Sequence, residues 1–95
     1  MNRKILLADD DAALRRVIQF KLKQKGYDVT AVEDGRAALS SLKASRYDLL
    51  LSDMKMPGMN GIELLEKAKG VQPDLEVILI TAFAEISQAV QAVKL

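Results

Sequence analysis

Three short apolar runs along the chain each end at a polar residue that can take part in chemistry. They are residues 5–8, which end at Asp9, residues 49–52, which end at Asp53, and residues 77–80, which end at Thr81. Each run has the length of a strand and is apolar at nearly every position, which is typical of parallel strands buried on both faces. A fourth segment, 27–32, alternates between apolar and polar positions and therefore indicates a half-exposed edge strand.

Helical spacing of apolar residues fills the intervals between these strands. The predicted helix boundaries are Asp11 as an N-cap with Gly26 as a stop, then starts at Asp34-Gly35 and Asn60-Gly61. The predicted inward positions are Leu14, Val17, Ile18 and Leu22 in the first helix, Ala38, Leu39 and Leu42 in the second, Ile62, Leu65 and Ala68 in the third, and Ile86, Ala89, Val90 and Val93 in a fourth. Strands and helices thus alternate, which predicts an α/β fold with a parallel sheet covered by helices on both faces.

The composition excludes several kinds of site. The 95 residues include no Cys and no His, so a disulfide, a thiolate metal site and a histidine general base are all ruled out. A formal net charge of +1 gives no basic surface of the kind that binds nucleic acid. The apolar segment that follows Lys4 is too short for a signal peptide or a membrane span. We therefore expect one domain, located in the cytoplasm and without membrane contact.

Acidic residues follow the first and third predicted strands. Because sites in open α/β sheets form where parallel strands end, Asp9, Asp10 and Asp53 would meet if those strands are neighbours. Two like charges ~4 Å apart cost on the order of 4 kcal/mol at an effective dielectric of about 20, so a protonated carboxylate or a bound cation is expected. Oxygen ligands favour Mg²⁺. The alternative is that the acids only cap a helix, which is the role expected of Asp11.

Thr81 has two interpretations. It is β-branched and suits the end of a strand, and its hydroxyl could equally donate a hydrogen bond to an anion held beside the carboxylates.

Three stretches resemble the signature motifs of response-regulator receiver domains. They are Leu7-Ala8-Asp9-Asp10-Asp11, then the segment from Ser52 to Gly61 with its pattern Asp-x-x-Met-Pro-x-x-Asn-Gly, and Ile80-Thr81-Ala82-Phe83. The middle pattern is very specific, and the resemblance extends over the whole chain. Residues 81–84 are most similar to receivers of the large enhancer-binding transcriptional activators. The resemblance implies a doubly wound, flavodoxin-like parallel sheet with strand order 2-1-3-4(-5).

The resemblance also implies a role for each site residue. Asp53 would accept a phosphoryl group from a phosphohistidine of a sensor histidine kinase. Asp10, Asp53 and the backbone carbonyl of Lys55 would hold Mg²⁺, with Asp9 acting largely through water. Thr81 would bind a phosphoryl oxygen and shift a surface for signal output. Such a protein catalyses its own phosphorylation and dephosphorylation but is mainly a switch, and it reaches DNA only through an output domain that is not in this chain.

Three alternatives fit the sequence less well. An α/β interaction module with a receiver-like fold that is never phosphorylated would be expected to have lost one of the acids. Hydrolases that form an aspartyl phosphate carry a second Asp two residues after the nucleophile, where this chain has Lys55. A dinucleotide-binding fold is disfavoured because no Gly-x-Gly-x-x-Gly follows the first strand.

The C-terminal end departs from the family pattern. The family has a Lys, a fifth strand and a fifth helix beyond the fourth helix, and this sequence ends at Leu95 without them. We therefore expect residues 1–95 to be a receiver domain that is incomplete at the C-terminus. An apolar strand at an open sheet edge would favour self-association, unless the natural protein is longer.

Overall fold

In the computed structural model, which describes residues 3–80, parallel strands form a single sheet with helices on both faces. The strands are β1 (Lys4–Ala8), β2 (Asp28–Val32), β3 (Leu49–Asp53) and β4 (Glu76–Ile80), and the helices are α1 (Ala12–Gln24), α2 (Gly35–Ala44) and α3 (Gly61–Val71). The strand order is β2-β1-β3-β4, with every pairing parallel. The expected fold and strand order are therefore confirmed for this part of the chain. The predicted fourth helix and Thr81 lie outside the described residues.

The core consists of two apolar layers, one on each face of the sheet. Alternate residues of β1 point to opposite sides, because successive side chains along a strand face opposite ways. Ile5 and Leu7 pack with residues of α1 such as Ile18, whereas Leu6 packs with residues of α2 and α3 such as Leu64. Helix α1 therefore covers one face, and α2 and α3 cover the other.

All three described helices begin where the sequence predicts, and each has a side chain that caps its first turn. The side chain of Asp11 accepts hydrogen bonds from the backbone of residues 13 and 14, and that of Asp34 accepts one from Ala37. At α3, Asn60 and Glu63 form a reciprocal capping box. Gly26 comes directly after Lys25, the C-cap of α1, and has a φ of 93°, a left-handed conformation that suits glycine just beyond a helix end.

The buried faces of α1 and α3 differ in part from the prediction. Val17 is 40% exposed and Ile62 is 48% exposed, so neither is a core residue. In α3 the buried positions are 61, 64 and 68, so Leu64 replaces the predicted Leu65, which is only half-buried. The adjacent leucines fit helical periodicity equally well, and only the packing of α3 on the sheet distinguishes them. The other predicted inward positions of α1 and α2 are buried or pack against the core.

At the edge of the sheet where the strands begin, hydrogen bonds from the side chain of Gln72 connect neighbouring segments. The side-chain amide of Gln72 donates to the carbonyls of Leu42 and Ser45, both at 2.7 Å, and its oxygen accepts from the backbone N–H of Tyr47 at 3.2 Å. A cavity of about 800 Å³ opens there, among residues that include Arg3 and Gln72, and Asp9, Asp10 and Asp53 do not line it.

Among residues 3–80, no helix combines the length and apolar character needed to cross a membrane.

Candidate functional site

The pairing of β1 with β3 brings the acidic residues together at the carboxyl edge of the sheet. Ala8 lies opposite Ser52 in the parallel register, so the next residues, Asp9 and Asp53, emerge side by side. Carboxylate oxygens of Asp9, Asp10 and Asp53 lie within 4.8 Å of one another. The sequence-based expectation that these three acids meet therefore agrees with the geometry.

Asp9 is the buried member of this cluster. Its residue is 0% exposed, and its backbone N–H extends the sheet by donating to the carbonyl of Val32 at 3.1 Å. Its Oδ1 accepts from the backbone N–H of Asp11 at 2.9 Å, whereas its buried Oδ2 has no hydrogen-bond partner among the described residues. A buried carboxylate oxygen without a partner is energetically costly, and a cation is a ligand that would satisfy it.

Asp53 ends β3 and is half-buried at the start of the loop to α3. The backbone N–H of Lys55 donates to its Oδ1 at 3.3 Å, which orients the carboxylate. The loop is held on both sides, because the N–H of Met54 donates to the carbonyl of Ile80, and the carbonyl of Met54 accepts from the backbone N–H of Gly61, both at 2.9 Å. Asp53 is thus a partly accessible carboxylate on a firmly held turn.

Burial and mutual repulsion raise the pKa of two of the acids. The pKa of Asp9 is raised chiefly by burial and further by the charges of Asp53 and Asp10, although the hydrogen bond from Asp11 opposes this. The pKa of Asp53 is likewise raised, first by burial and then by Asp10, against the hydrogen bond from Lys55. The cluster therefore favours either a proton or a cation.

Asp53→Asn is expected to stabilise the metal-free protein at neutral pH and to lose this advantage in acid. Because the pKa of Asp53 is higher in the folded state, the folded protein binds a proton there more tightly than the unfolded chain, and ionisation destabilises the fold. The gain in Tm over the parent, both in EDTA, should be greatest near pH 7 and shrink as the pH falls toward about 4, the ordinary pKa of Asp. A gain that is the same at every pH would contradict this explanation.

The remaining predicted site residues are placed as follows. Lys55 is exposed two residues after Asp53 and beside the cluster, and Thr81 lies outside the described residues. Asp11 is the cap of α1, as expected, and supplies the N–H that holds Asp9.

Two contacts at the site, made by Arg15 and Gly61, were not identified from the sequence. Nη1 of Arg15 donates to the backbone carbonyl of Asp9 at 2.7 Å. A Cβ atom added at Gly61 would lie 2.6 Å from the carbonyl oxygen of Asp53 and 2.9 Å from Cα of Met54. For Arg15 a signal existed, since side chains near a helix start point back toward its N-terminus and so toward the acidic loop.

The donor set suits a hard divalent cation. Asp9, Asp10 and Asp53 offer only carboxylate oxygens, which are the ligands that Mg²⁺ prefers. Oδ2 of Asp9, which no other described residue bonds, is available to the ion. The residues present therefore fit a magnesium ion.

Residues 5–95 match the model of the response regulator receiver domain. The chain is 41% identical over 85 residues to the response regulator receiver protein CpdR of Brucella abortus, covering 90% of the chain and 71% of CpdR. It is 37% identical to the transcriptional regulatory protein FixJ of Bradyrhizobium diazoefficiens, covering 96% of the chain and 44% of FixJ. It is 38% identical to the C4-dicarboxylate transport transcriptional regulatory protein DctD of Rhizobium meliloti, covering 95% of the chain but only 20% of DctD.

Solved structures show the same fold. The receiver domain of the hybrid histidine kinase CckA superposes with a TM-score of 0.83 at 31% identity, covering 96% of this chain and 95% of that one. The response regulator TrrA of Thermotoga maritima, solved in complex with Mg²⁺-BeF, gives 0.81 at 30% identity and covers 92% and 80%. A complex of the histidine kinase ThkA with TrrA gives 0.80 at 30% identity and covers 92% and 79%.

Proposed function

Because the chain belongs to the response regulator receiver domain family, we propose that Asp53 accepts a phosphoryl group from a histidine kinase while Mg²⁺ is held by the acidic cluster. The observation that carries this proposal is the convergence of Asp9, Asp10 and Asp53 around a buried carboxylate oxygen that has no hydrogen-bond partner within residues 3–80. A cluster that served only to cap α1 would need Asp11 alone.

Asp53 is suited to act as the nucleophile. Its carboxylate oxygen attacks the phosphorus of a phosphohistidine, so a P–O bond forms while the P–N bond breaks and the imidazole nitrogen keeps the electron pair. The N–H of Lys55 holds Oδ1 of Asp53, which orients the carboxylate for attack. When bound, Mg²⁺ supplies charge neutralisation for the phosphoryl oxygens. Asp9, Asp10 and Asp53, with the backbone carbonyl of Lys55, are the groups proposed to hold it.

The similar structures support both the ion and the partner. TrrA was solved with Mg²⁺-BeF, and it was also solved in complex with the histidine kinase ThkA. The proposed partner of this chain is accordingly a sensor histidine kinase. Thr81 is proposed to donate to a phosphoryl oxygen and so to couple phosphorylation to a change of surface.

Signal output is proposed to be transcriptional. FixJ and DctD are transcriptional regulatory proteins, and the matched part makes up less than half of each. DNA would then be contacted by an output domain that follows a receiver domain like this one, in keeping with a net charge of only +1 here.

The test is incubation with acetyl phosphate, with Mg²⁺ or with EDTA, followed by intact-mass spectrometry and peptide mapping. We expect a Mg²⁺-dependent species heavier by about 80 Da, with the added group on Asp53. An inert interaction module would show no such species, and a hydrolase would release phosphate continuously without accumulating it. Either result would overturn the proposal.

Asp10→Asn is expected to weaken Mg²⁺ binding by at least about tenfold, because it removes a proposed ligand and part of the repulsion that makes a cation favourable. Asp11→Asn is the matched control, since it removes the same charge from the next residue while Asn keeps the helix cap. Isothermal titration calorimetry measures both variants. Equal affinities would show that Asp10 is not a ligand.

A further inference from the structure

We propose that Arg15 is a positioning residue for the metal site, which acts by fixing the backbone of Asp9. The inference rests on the proposed function, because it concerns how tightly the acidic cluster holds a divalent cation. Arg15 itself is half-buried in the second turn of α1, and its backbone N–H donates to the carbonyl of Asp11 at 2.9 Å. Its backbone is therefore anchored in the helix while its side chain reaches back to the loop.

Three hydrogen bonds hold Asp9, and together they leave one atom for a ligand. Its N–H is bonded to Val32, its Oδ1 to the N–H of Asp11 and its carbonyl to Nη1 of Arg15. Only Oδ2 lacks a partner among the described residues. Two of the three bonds are made by backbone groups, whereas the bond from Arg15 is made by a side chain and can be removed by substitution.

The bond from Arg15 differs from the other two in its donor, which is a charged side chain. A guanidinium donor makes a charge-assisted hydrogen bond, and its length of 2.7 Å is the shortest of the set. Because the carbonyl of Asp9 lies between the two acids of the loop, holding it sets the directions in which Asp9 and Asp10 leave the backbone. Without the bond from Arg15, the loop must become ordered when the cation binds, and the cost of that ordering weakens the binding.

Charge alone predicts the opposite effect, which makes the inference testable. Arg15 is a cation beside a cation site, so removing its charge should strengthen metal binding if Coulombic repulsion were its main influence. Arg16 is the matched control, since it is the neighbouring residue, is exposed, and its side chain makes no hydrogen bond or ion pair with residues 3–80. Substitution of Arg16 reports the effect of lost charge, and substitution of Arg15 reports lost charge together with lost positioning.

The experiment measures Mn²⁺ affinity from the electron paramagnetic resonance signal of free Mn²⁺, a divalent ion that also prefers oxygen ligands. We expect Arg15→Met to raise the dissociation constant about tenfold, the lower end of the range for outer partners of metal ligands. Arg16→Met should leave it unchanged or lower it. Arg15→Lys, which keeps a charged donor, should recover most of the loss. The rate of Asp53 phosphorylation at saturating Mg²⁺ should stay within about twofold of the parent in Arg16→Met, because Arg16 is exposed and is not part of the proposed site.

The outcomes distinguish a failure of the positioning role of Arg15 from a failure of the proposed phosphoacceptor function. If the parent binds Mn²⁺ and Arg15→Met behaves as Arg16→Met does, the role of Arg15 is overturned while the proposed function stands. If the parent binds no Mn²⁺, both are overturned. Thermal melts followed by circular dichroism establish that the variants are folded. Should Arg15→Met not fold, Arg15→Lys against Arg16→Lys makes the same comparison, with an expected weakening of about twofold to threefold only at position 15.

Discussion

Asp53→Asn is expected to abolish incorporation of the phosphoryl group, a loss of more than about a thousandfold in rate, because a covalent mechanism without its nucleophile has no alternative route. The amide is nearly the same size as the carboxylate, and its oxygen can still accept the hydrogen bond that Lys55 donates. The fold and the loop should therefore be retained while the reaction is lost. Intact-mass spectrometry after treatment with acetyl phosphate and Mg²⁺ measures the effect.

Asp11→Asn is the control for this experiment as well. It makes the same chemical change in the acidic loop and keeps the cap of α1, so it should still be phosphorylated. If Asp53→Asn continued to gain about 80 Da at an unchanged rate, another residue would be the acceptor.

Gly61→Ala is expected to destabilise the fold by about 1–3 kcal/mol, because the added methyl group has no room. It would lie 2.6 Å from the carbonyl oxygen of Asp53 and 2.9 Å from Cα of Met54, both backbone atoms that cannot move aside as a flexible side chain would. The strand end that carries Asp53 would have to shift, so phosphorylation should slow as well. Urea denaturation gives the change in the free energy of unfolding.

Gly70→Ala is the matched control in the same helix. No atom lies within 4 Å of a Cβ atom built there, so this substitution should stabilise the protein by roughly 0.5–1 kcal/mol through helix propensity. The two Gly→Ala changes are thus expected to have opposite signs. If both stabilise the fold to the same degree, the close approach at Gly61 is not a constraint.

The sequence by itself determined the features that depend only on residues close together along the chain. Apolar runs with polar ends indicated where β1 and β3 lie, because burial on both faces leaves no alternation. The caps at Asp11, Asp34 and Asn60 were predictable because each bonds to a backbone group within three residues. The identities of the three clustered acids followed from the same local pattern, together with the rule that sites lie at strand ends.

Which residues of a helix are buried was only partly determined by the sequence. Val17 and Ile62 fit a helical apolar face but lie on exposed surface. Leu64 is buried where Leu65 was expected, because the rotation of α3 about its axis is set by its contacts with the sheet and with α2. Helical periodicity predicts the buried face of a helix to within about one residue, and packing against the sheet decides which of the adjacent apolar residues is buried.

The tertiary structure alone decided how the site is built. The buried oxygen of Asp9, the bond from Arg15 and the close approach at Gly61 depend on loop geometry and packing that the pattern of apolar residues does not specify. Their physical origin is the parallel register of β1 and β3, which places the acids side by side, and the exclusion of water by the packed faces, which raises the pKa of Asp9 and Asp53. A sequence specifies which side chains are present, but distances of a few ångströms between them arise only when the strands have paired.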